Sequence, residues 1–234
     1  MAINKGDFVE VEYTGMLEDG TIFDTTDKAK AEKAELTTDV KKFGPINICI
    51  GEGHLIKGLD EQLINKELGE HKIQLQPEQA FGKKSAKLIQ MIPTNKFKQQ
   101  KINPVPGLQL NIDGMIATIK SVSAGRTLVD FNHPLSGRKV IYEIKINKKL
   151  TDPREKVLTL AKMHFQTDVA VKIEQTVAFI KFNQEIPKEV AEKIQEDFEK
   201  KVIALVKEVR GVKIVSGEQE TKPKQEEEKE KTPK

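Results

Sequence analysis

The stretch Tyr13-Thr-Gly-Met-Leu-Glu-Asp-Gly-Thr-Ile-Phe-Asp24 holds the side chains best placed for chemistry. Two aromatics, Tyr13 and Phe23, flank an Asp19-Gly20 pair, and the carboxylate of Asp24 follows the second. Asp-Gly between apolar-rich runs signals a hairpin, because Gly readily takes positive φ. A hairpin here brings Tyr13, Phe23 and Asp24 to one concave surface, an apolar pocket with one fixed acceptor. Such a pocket binds and distorts a substrate rather than attacking it. The same residues also fit plainer roles, Tyr13 as a core tyrosine with a satisfied hydroxyl and Asp24 as a strand-end cap.

Other chemistries find little support. His54, His71, His133 and His164 are the only histidines, and they lack paired ligand spacing, so no metal site is expected. Cys49 stands alone without a Cys-x-x-Cys partner. That excludes a disulfide framework and suits a reducing compartment. Gly51-Glu-Gly53 lacks the third glycine and helix of a nucleotide fingerprint. No cofactor is expected. The 39 basic and 36 acidic residues leave a net charge of +3, too weak a field to argue for nucleic acid. No apolar run approaches the roughly 20 residues of a membrane span, and the N-terminus has no apolar signal region. These features predict a cytoplasmic protein that binds neither nucleic acid nor membrane. Abundant Lys, Glu and Ile suit a thermophile.

The elements that must position Tyr13 and its neighbours follow from periodicity. Residues 7–13 alternate polar and apolar, a half-buried strand, and Phe23 closes the next one. Residues 26–44 form an exposed, partly helical excursion. Ile46, Ile48 and Ile50 predict a third strand, residues 60–67 a short helix stopped at Gly69, residues 71–75 a strand, and Pro77–Gly82 a turn-rich loop. From Lys83 to about Thr127, apolar residues are scattered among Pro, Asn and Gly, a small β-rich unit with a thin core. Its apolar residues fit either a satellite subdomain that buries them all or an exposed binding face. Residues 128–133 form a strand and 139–146 another that rejoins the first sheet. A third region opens at Asp152-Pro153-Arg154-Glu155, a capped helix start running to about His164. Strands follow at 169–174 and 176–182. Pro187 opens a long helix with a stripe of Val190, Ile194, Phe198, Val202, Leu205 and Val209, ended by Gly211. Val212–Val215 is a last strand. From Gly217 the tail has no apolar residue and is expected to be disordered.

Four segments at matching spacing resemble the FK506-binding-protein (FKBP) type of peptidyl-prolyl cis-trans isomerase. They are Val11–Asp24, Ile50-Gly-Glu-Gly-His-Leu-Ile-Lys-Gly-Leu59, Pro77-Glu-Gln-Ala-Phe-Gly82 and Val129-Asp-Phe-Asn-His-Pro-Leu-Ser-Gly137. The last is similar to the segment returning from the insert-in-flap domain of SlyD-like members. The region beyond residue 150 resembles the extension of long archaeal members. The resemblance implies an α+β fold, a twisted antiparallel sheet around one short helix, with an inserted β-rich domain and a C-terminal α+β domain. The implied domains are 1–83 plus 128–150 for the isomerase, 84–127 for the insert, 151–216 for the C-terminal domain and 217–234 for the tail. The implied catalytic residues are Tyr13, Phe23, Asp24, Ile56, Phe81 and Tyr142, with Ile46, Leu55 and Leu59 binding substrate. Leu59 stands where many members carry Trp, and Phe81 where many carry Tyr. The implied activity is X-Pro isomerisation, with the insert holding unfolded chains through Met91, Ile92, Phe97, Leu108, Met115 and Ile116. The implied partners are proline-containing unfolded polypeptides, with dimerisation or further client binding left to the C-terminal domain. A non-enzymatic holdase or an assembly scaffold is the competing reading.

Overall fold

Strand β1, Phe8–Leu17, buries Val9 and Val11 completely and turns Glu10 and Glu12 to the other side, as a period of two dictates. The computed structural model describes residues 2–36, 43–183 and 188–215. Contacts divide the chain into two units, 1–150 and 151–234.

In the first unit β1 is the hub of an antiparallel sheet. It pairs with β2 (Ile22–Thr25), β3 (Ile46–Cys49) and β9 (Val140–Lys149), and β9 pairs with β4 (Gly69–Leu75). Between β2 and β3 lies helix α1, Lys28–Lys33, capped by the Asp27 carboxylate. Residues 37–42 of the predicted excursion lie outside the described residues. Helix α2 runs over Lys57–Leu63 and buries Leu59 and Leu63. This corrects the helix expected over 60–67. Gly58 lies inside the helix, and only glycine fits there, because a Cβ would meet the Gln79 carbonyl oxygen at 2.5 Å. The far end comes early because Asn65 adopts φ 67.

Between β4 and β9 the chain builds a second sheet. Its strands are β5 (Ile89–Pro93), β6 (Gln109–Ile112), β7 (Met115–Ser123) and β8 (Arg126–Asp130), in the order β5-β8-β7-β6. Strand β8 pairs with both β5 and β7, so residues 128–130, assigned to the isomerase domain from the motif spacing, hydrogen-bond within the insert instead. Helix α3, Thr94–Gln99, was not expected. It places Phe97 in a small core with Ala117 and Val129, closed by Ile92, Leu110 and Phe131. The predicted exposure of Phe97 is therefore corrected: only 4% of it is accessible, because α3 turns its ring into the core of this thin sheet, against Ala117 and Val129.

The second unit has the order α-β-β-α-β. Helix α4 (Pro153–Phe165) is capped by Asp152, whose Oδ1 accepts from the Arg154 N–H at 2.9 Å. Strands β10 (Val169–Glu174) and β11 (Val177–Phe182) form a hairpin, and β12 (Gly211–Val215) lies parallel to β11. Helix α5, Lys188–Leu205, makes the crossover. Pro187, the side chain of Val190 and the tail from 217 lie outside the described residues. The helix stops at Leu205 rather than at Gly211. A turn joins Val209 N–H to Val206 C=O, burying both valines, and Gly211 opens β12. Phe165, Phe182 and Phe198 pack together, with His164 against Phe165 and Phe198.

Candidate functional site

Phe23 and Asp24 are consecutive, so a regular strand would send them to opposite faces. The register explains how both reach one site. Gly15 lies opposite Asp24, but Met16 lies opposite Ile22, which leaves Phe23 as the extra residue of a bulge. The end of β2 is then tied down around Tyr13. The Tyr13 N–H donates to Thr26 Oγ1 at 2.9 Å, and its carbonyl accepts from Thr26 N at 3.0 Å and Thr25 Oγ1 at 3.1 Å.

Four rings meet above this point. The centroid of Phe23 lies 5.7 Å from Phe81 and 5.8 Å from Tyr142, both edge-on, and Tyr13 lies 6.0 Å from Tyr142. Edge-to-face contacts at these separations are favourable and directional, so the walls have a defined shape. Tyr142 is buried, and Tyr13, Phe23, Asp24 and Phe81 are half-buried. The Tyr13 hydroxyl donates to Asp24 Oδ2 at 3.0 Å. Burial pushes the Tyr13 phenol well above its ordinary range, with the Asp24 charge and hydrogen bond adding to it. Burial and then the Asp24 charge push Tyr142 the same way. Both phenols therefore stay protonated, and the site holds a single anion.

Gly15 was not singled out from the sequence, yet it closes the base of the cluster. A Cβ there would meet Phe23 Cζ at 2.8 Å and Tyr142 Cε1 at 2.9 Å. His133 was also missed as a site neighbour. Its ring stacks on Phe81 at 4.6 Å with an interplanar angle of 3°. Only the contact between strands far apart in sequence reveals either role.

The remaining expected residues divide. Ile56 sits at the start of α2, where its carbonyl accepts from the Leu59 and Asp60 N–H groups at 2.9 and 3.0 Å. The buried Asp60 carboxylate pins the loop before it, accepting from Gly51 N at 2.9 Å and Gly53 N at 3.1 Å. Leu59 has no accessible surface, so it is a core residue of α2 and not an exposed lining contact, a correction forced by the packing of the helix. Ile46 lies on β3 opposite Val11. Leu55 lines a cavity of about 370 Å³ with Gly51, Asp60 and Ile64, which none of the four clustered rings borders. A larger cavity, about 940 Å³, lies against the polar side of the sheet, with Glu12, Glu70, Lys72, Glu143 and Lys145 in its walls. Tyr13 alone of the expected residues borders it, and its charged walls do not suit an apolar substrate. Among the described residues no group of three or more His, Cys, Asp or Glu is placed to hold a metal. No helix among them is long and apolar enough to cross a membrane.

On the insert, Met91, Met115 and Ile116 are more than half exposed. Ile92 and Leu108 are half-buried. Leu88, Ile89 and Val105, not expected, are exposed as well.

Known proteins resemble the first unit of the chain. A family model described as FKBP-type peptidyl-prolyl cis-trans isomerase matches residues 1–102, and one described as FKBP26, IF domain matches residues 90–135. A short-type peptidyl-prolyl cis-trans isomerase of Methanocaldococcus jannaschii is 34% identical over 146 residues, covering 62% of this chain and 92% of the relative. The SlyD isomerase of Helicobacter pylori is 30% identical over 106 residues, 44% of this chain and 57% of its own length. An FKBP-type 16 kDa isomerase of Escherichia coli is 29% identical over 150 residues, 62% and 92% of the two chains.

Proposed function

The chain belongs to the FKBP-type peptidyl-prolyl cis-trans isomerase family, and on that premise we propose that its four-ring pocket rotates X-Pro bonds while the inserted sheet holds the unfolded chain that carries them. The carrying observation is the arrangement of Tyr13, Phe23, Phe81 and Tyr142 around one anchored carboxylate.

Rotation about an X-Pro bond is opposed by amide resonance, a barrier of roughly 18–20 kcal/mol. At the top of the barrier the amide is twisted, resonance is lost and the carbonyl is less polar. An apolar, aromatic-walled cavity disfavours the planar, more dipolar amide more than the twisted one. No bond is made or broken, so no base is required, and Asp24 serves to hold the Tyr13 wall in place. The Ile56 backbone at the start of α2 is where a substrate carbonyl is held. The exposed Met91, Met115 and Ile116 offer flexible apolar contact to unfolded segments. A chain held there meets the pocket in an intramolecular step, which raises its effective concentration.

A protease-coupled isomerisation assay on a short proline peptide tests the first half. The full chain should accelerate isomerisation, and Phe23→Ala should lose most of the acceleration; a full chain no faster than background would refute the enzyme reading. Catalysed refolding of a proline-limited protein tests the second half. Met115→Ser with Ile116→Ser should raise KM for the protein substrate several-fold and leave the short peptide unaffected. Equal activity on both substrates would remove the division of labour.

A further inference from the structure

The chain leaves the pocket at Phe81 and returns to it after Asp130, and the two crossings are laced together. The Ser136 hydroxyl donates to the Phe81 carbonyl at 2.8 Å, and Gly137 N–H donates to the Gly82 carbonyl at 2.8 Å. Nearer the insert, Phe131 N–H donates to the Leu88 carbonyl at 2.9 Å. Between these bonds sits Asn132, only 5% accessible. Its Oδ1 accepts from Ser85 N at 2.8 Å, and its Nδ2 donates to the Ser85 carbonyl at 3.0 Å. Both its Nδ2 and its own backbone N–H donate to Asp130 Oδ1, at 2.7 and 2.9 Å. The amide cannot be flipped. Exchanging its oxygen and nitrogen would set two donors together at Ser85 and an oxygen against the Asp130 carboxylate. Asp130 is itself buried and flanked by the ammonium groups of Lys120 at 3.7 Å and Lys84 at 4.0 Å.

We propose that Asn132 is a positioning residue for isomerisation of protein substrates, clamping the two crossings into one rigid neck that fixes the insert relative to the pocket. The argument rests on the proposed division of labour. The benefit of tethering a substrate depends on the geometry of the tether: a slack or misdirected connection lowers the effective concentration at the second site without touching either site. Two single peptide strands would be slack. Asn132 joins them through both faces of its amide, and Asp130 locks the amide's orientation. One end of the neck is the backbone of Phe81, whose ring is a pocket wall, so the same ladder reaches from the insert sheet to the site.

The test compares full-length wild type, Asn132→Ala and the patch variant Met115→Ser/Ile116→Ser on a short proline peptide and on refolding of a proline-limited protein. Asn132→Ala should leave the short peptide within about twofold. On the protein substrate it should lower kcat about tenfold at unchanged KM, since the client is still held but no longer delivered. Amide exchange at Ser85 should speed up while β1 and β9 stay protected. The patch variant should instead raise KM. A kcat for Asn132→Ala equal to wild type, with the patch variant impaired, overturns the role of Asn132 alone. If the patch variant is also unimpaired, the division of labour fails and this inference with it. Loss of both substrates together in Asn132→Ala would mark it as a support of the pocket itself. Should that variant misfold, Asn132→Ser, which keeps a small hydrogen-bonding group but cannot span Ser85 and Asp130 together, must show the same split between kcat and KM in milder form.

Discussion

Gly15→Ala puts the shape of the pocket to the sharpest test. Gly15 lies on β1 with a backbone unlike the positive-φ glycines of the turns, so an alanine adds volume without backbone strain. The added methyl would sit 2.8 Å from Phe23 Cζ, 2.9 Å from Phe23 Cε2 and 2.9 Å from Tyr142 Cε1. Ordinary carbon contacts lie at roughly 3.5–4.0 Å, so the two rings must retreat by about 0.6–1.2 Å. Overpacking of this kind costs about 1–3 kcal/mol. Each ring also has an edge-on neighbour, which limits where it can go. If the whole strain falls on the geometry that accepts the twisted amide, kcat/KM on a short proline peptide drops roughly 5- to 150-fold. Melting of this unit should fall by roughly 2–4 °C per kcal/mol lost. The chain has two tyrosines and no Trp, so its tyrosine fluorescence reports on Tyr13 and Tyr142 directly and should change with the displacement. Phe23→Leu in the same chain should recover part of the lost stability, a non-additive pair. A Gly15→Ala protein with kcat/KM within twofold of wild type and unaltered tyrosine fluorescence would show that the rings yield freely. The pocket would then have no shape of its own to impose on an amide.

Three further outcomes follow from the same geometry. Tyr13→Phe removes the donor to Asp24 and should destabilise the first unit by about 1 kcal/mol, read in a denaturant titration, with a loss of peptide isomerisation smaller than that of Phe23→Ala. Both tyrosine phenols are raised above their ordinary range, so the folded state resists their ionisation. The stability they contribute is complete below about pH 10 and is lost as pH rises further, and an ultraviolet phenolate titration should release both only with unfolding. The two phenols should therefore add no pH dependence to peptide isomerisation across neutral pH. For Asp130, burial alone would raise the carboxyl, but the Asn132 hydrogen bonds and the Lys120 and Lys84 charges outweigh it and hold it below the ordinary carboxylate range. Its contribution is present above about pH 4 and lost as pH falls through the lowered value, so Asp130→Asn should flatten the acid limb of a stability–pH curve followed by exchange in the insert.

Much of this could be read from residue order, and what could not has a common physical origin. The alternation at residues 7–13, the Asp-Gly turn and the Asp152-Pro153 cap are local signals, and β1, the hairpin and α4 form where those signals lie. The start of α2 at Lys57 was not legible, because Gly58 serves a close approach to Gln79 that only the folded chain shows. Gly211 misled: it was read as a stop signal, and it begins a strand whose Val212 N–H is held by the Glu199 carboxylate at 2.9 Å. Phe97 was read by composition, but whether an apolar residue of a thin sheet is core or surface depends on a helix, α3, with no strong cap. Of the site, Tyr13, Phe23, Asp24, Phe81 and Tyr142 came together; Gly15, His133 and Asn132 took their roles from the packing of Tyr142, Phe81 and Ser85, each far away in the chain. Asn132 and Ser85 are 47 residues apart, and no periodicity spans that distance.

The pairing of β1 with β9, which joins Val9 to Lys149 and Leu17 to Val140, also dictates an order of assembly. On a chain emerging from the ribosome, β1 has no central partner until β9 has been made. The insert's sheet pairs strands close in sequence and can form earlier, as local contacts generally do. By folding first it draws residues 89 and 130 together, and it shortens the loop that β1 and β9 must close. Loop closure varies only with the logarithm of length, so the interruption costs β1–β9 pairing no more than a few tenths of a kcal/mol. During synthesis the surface proposed to hold unfolded chain can thus exist before the pocket does, and the first unfolded segment within its reach is the enzyme's own unfinished sheet.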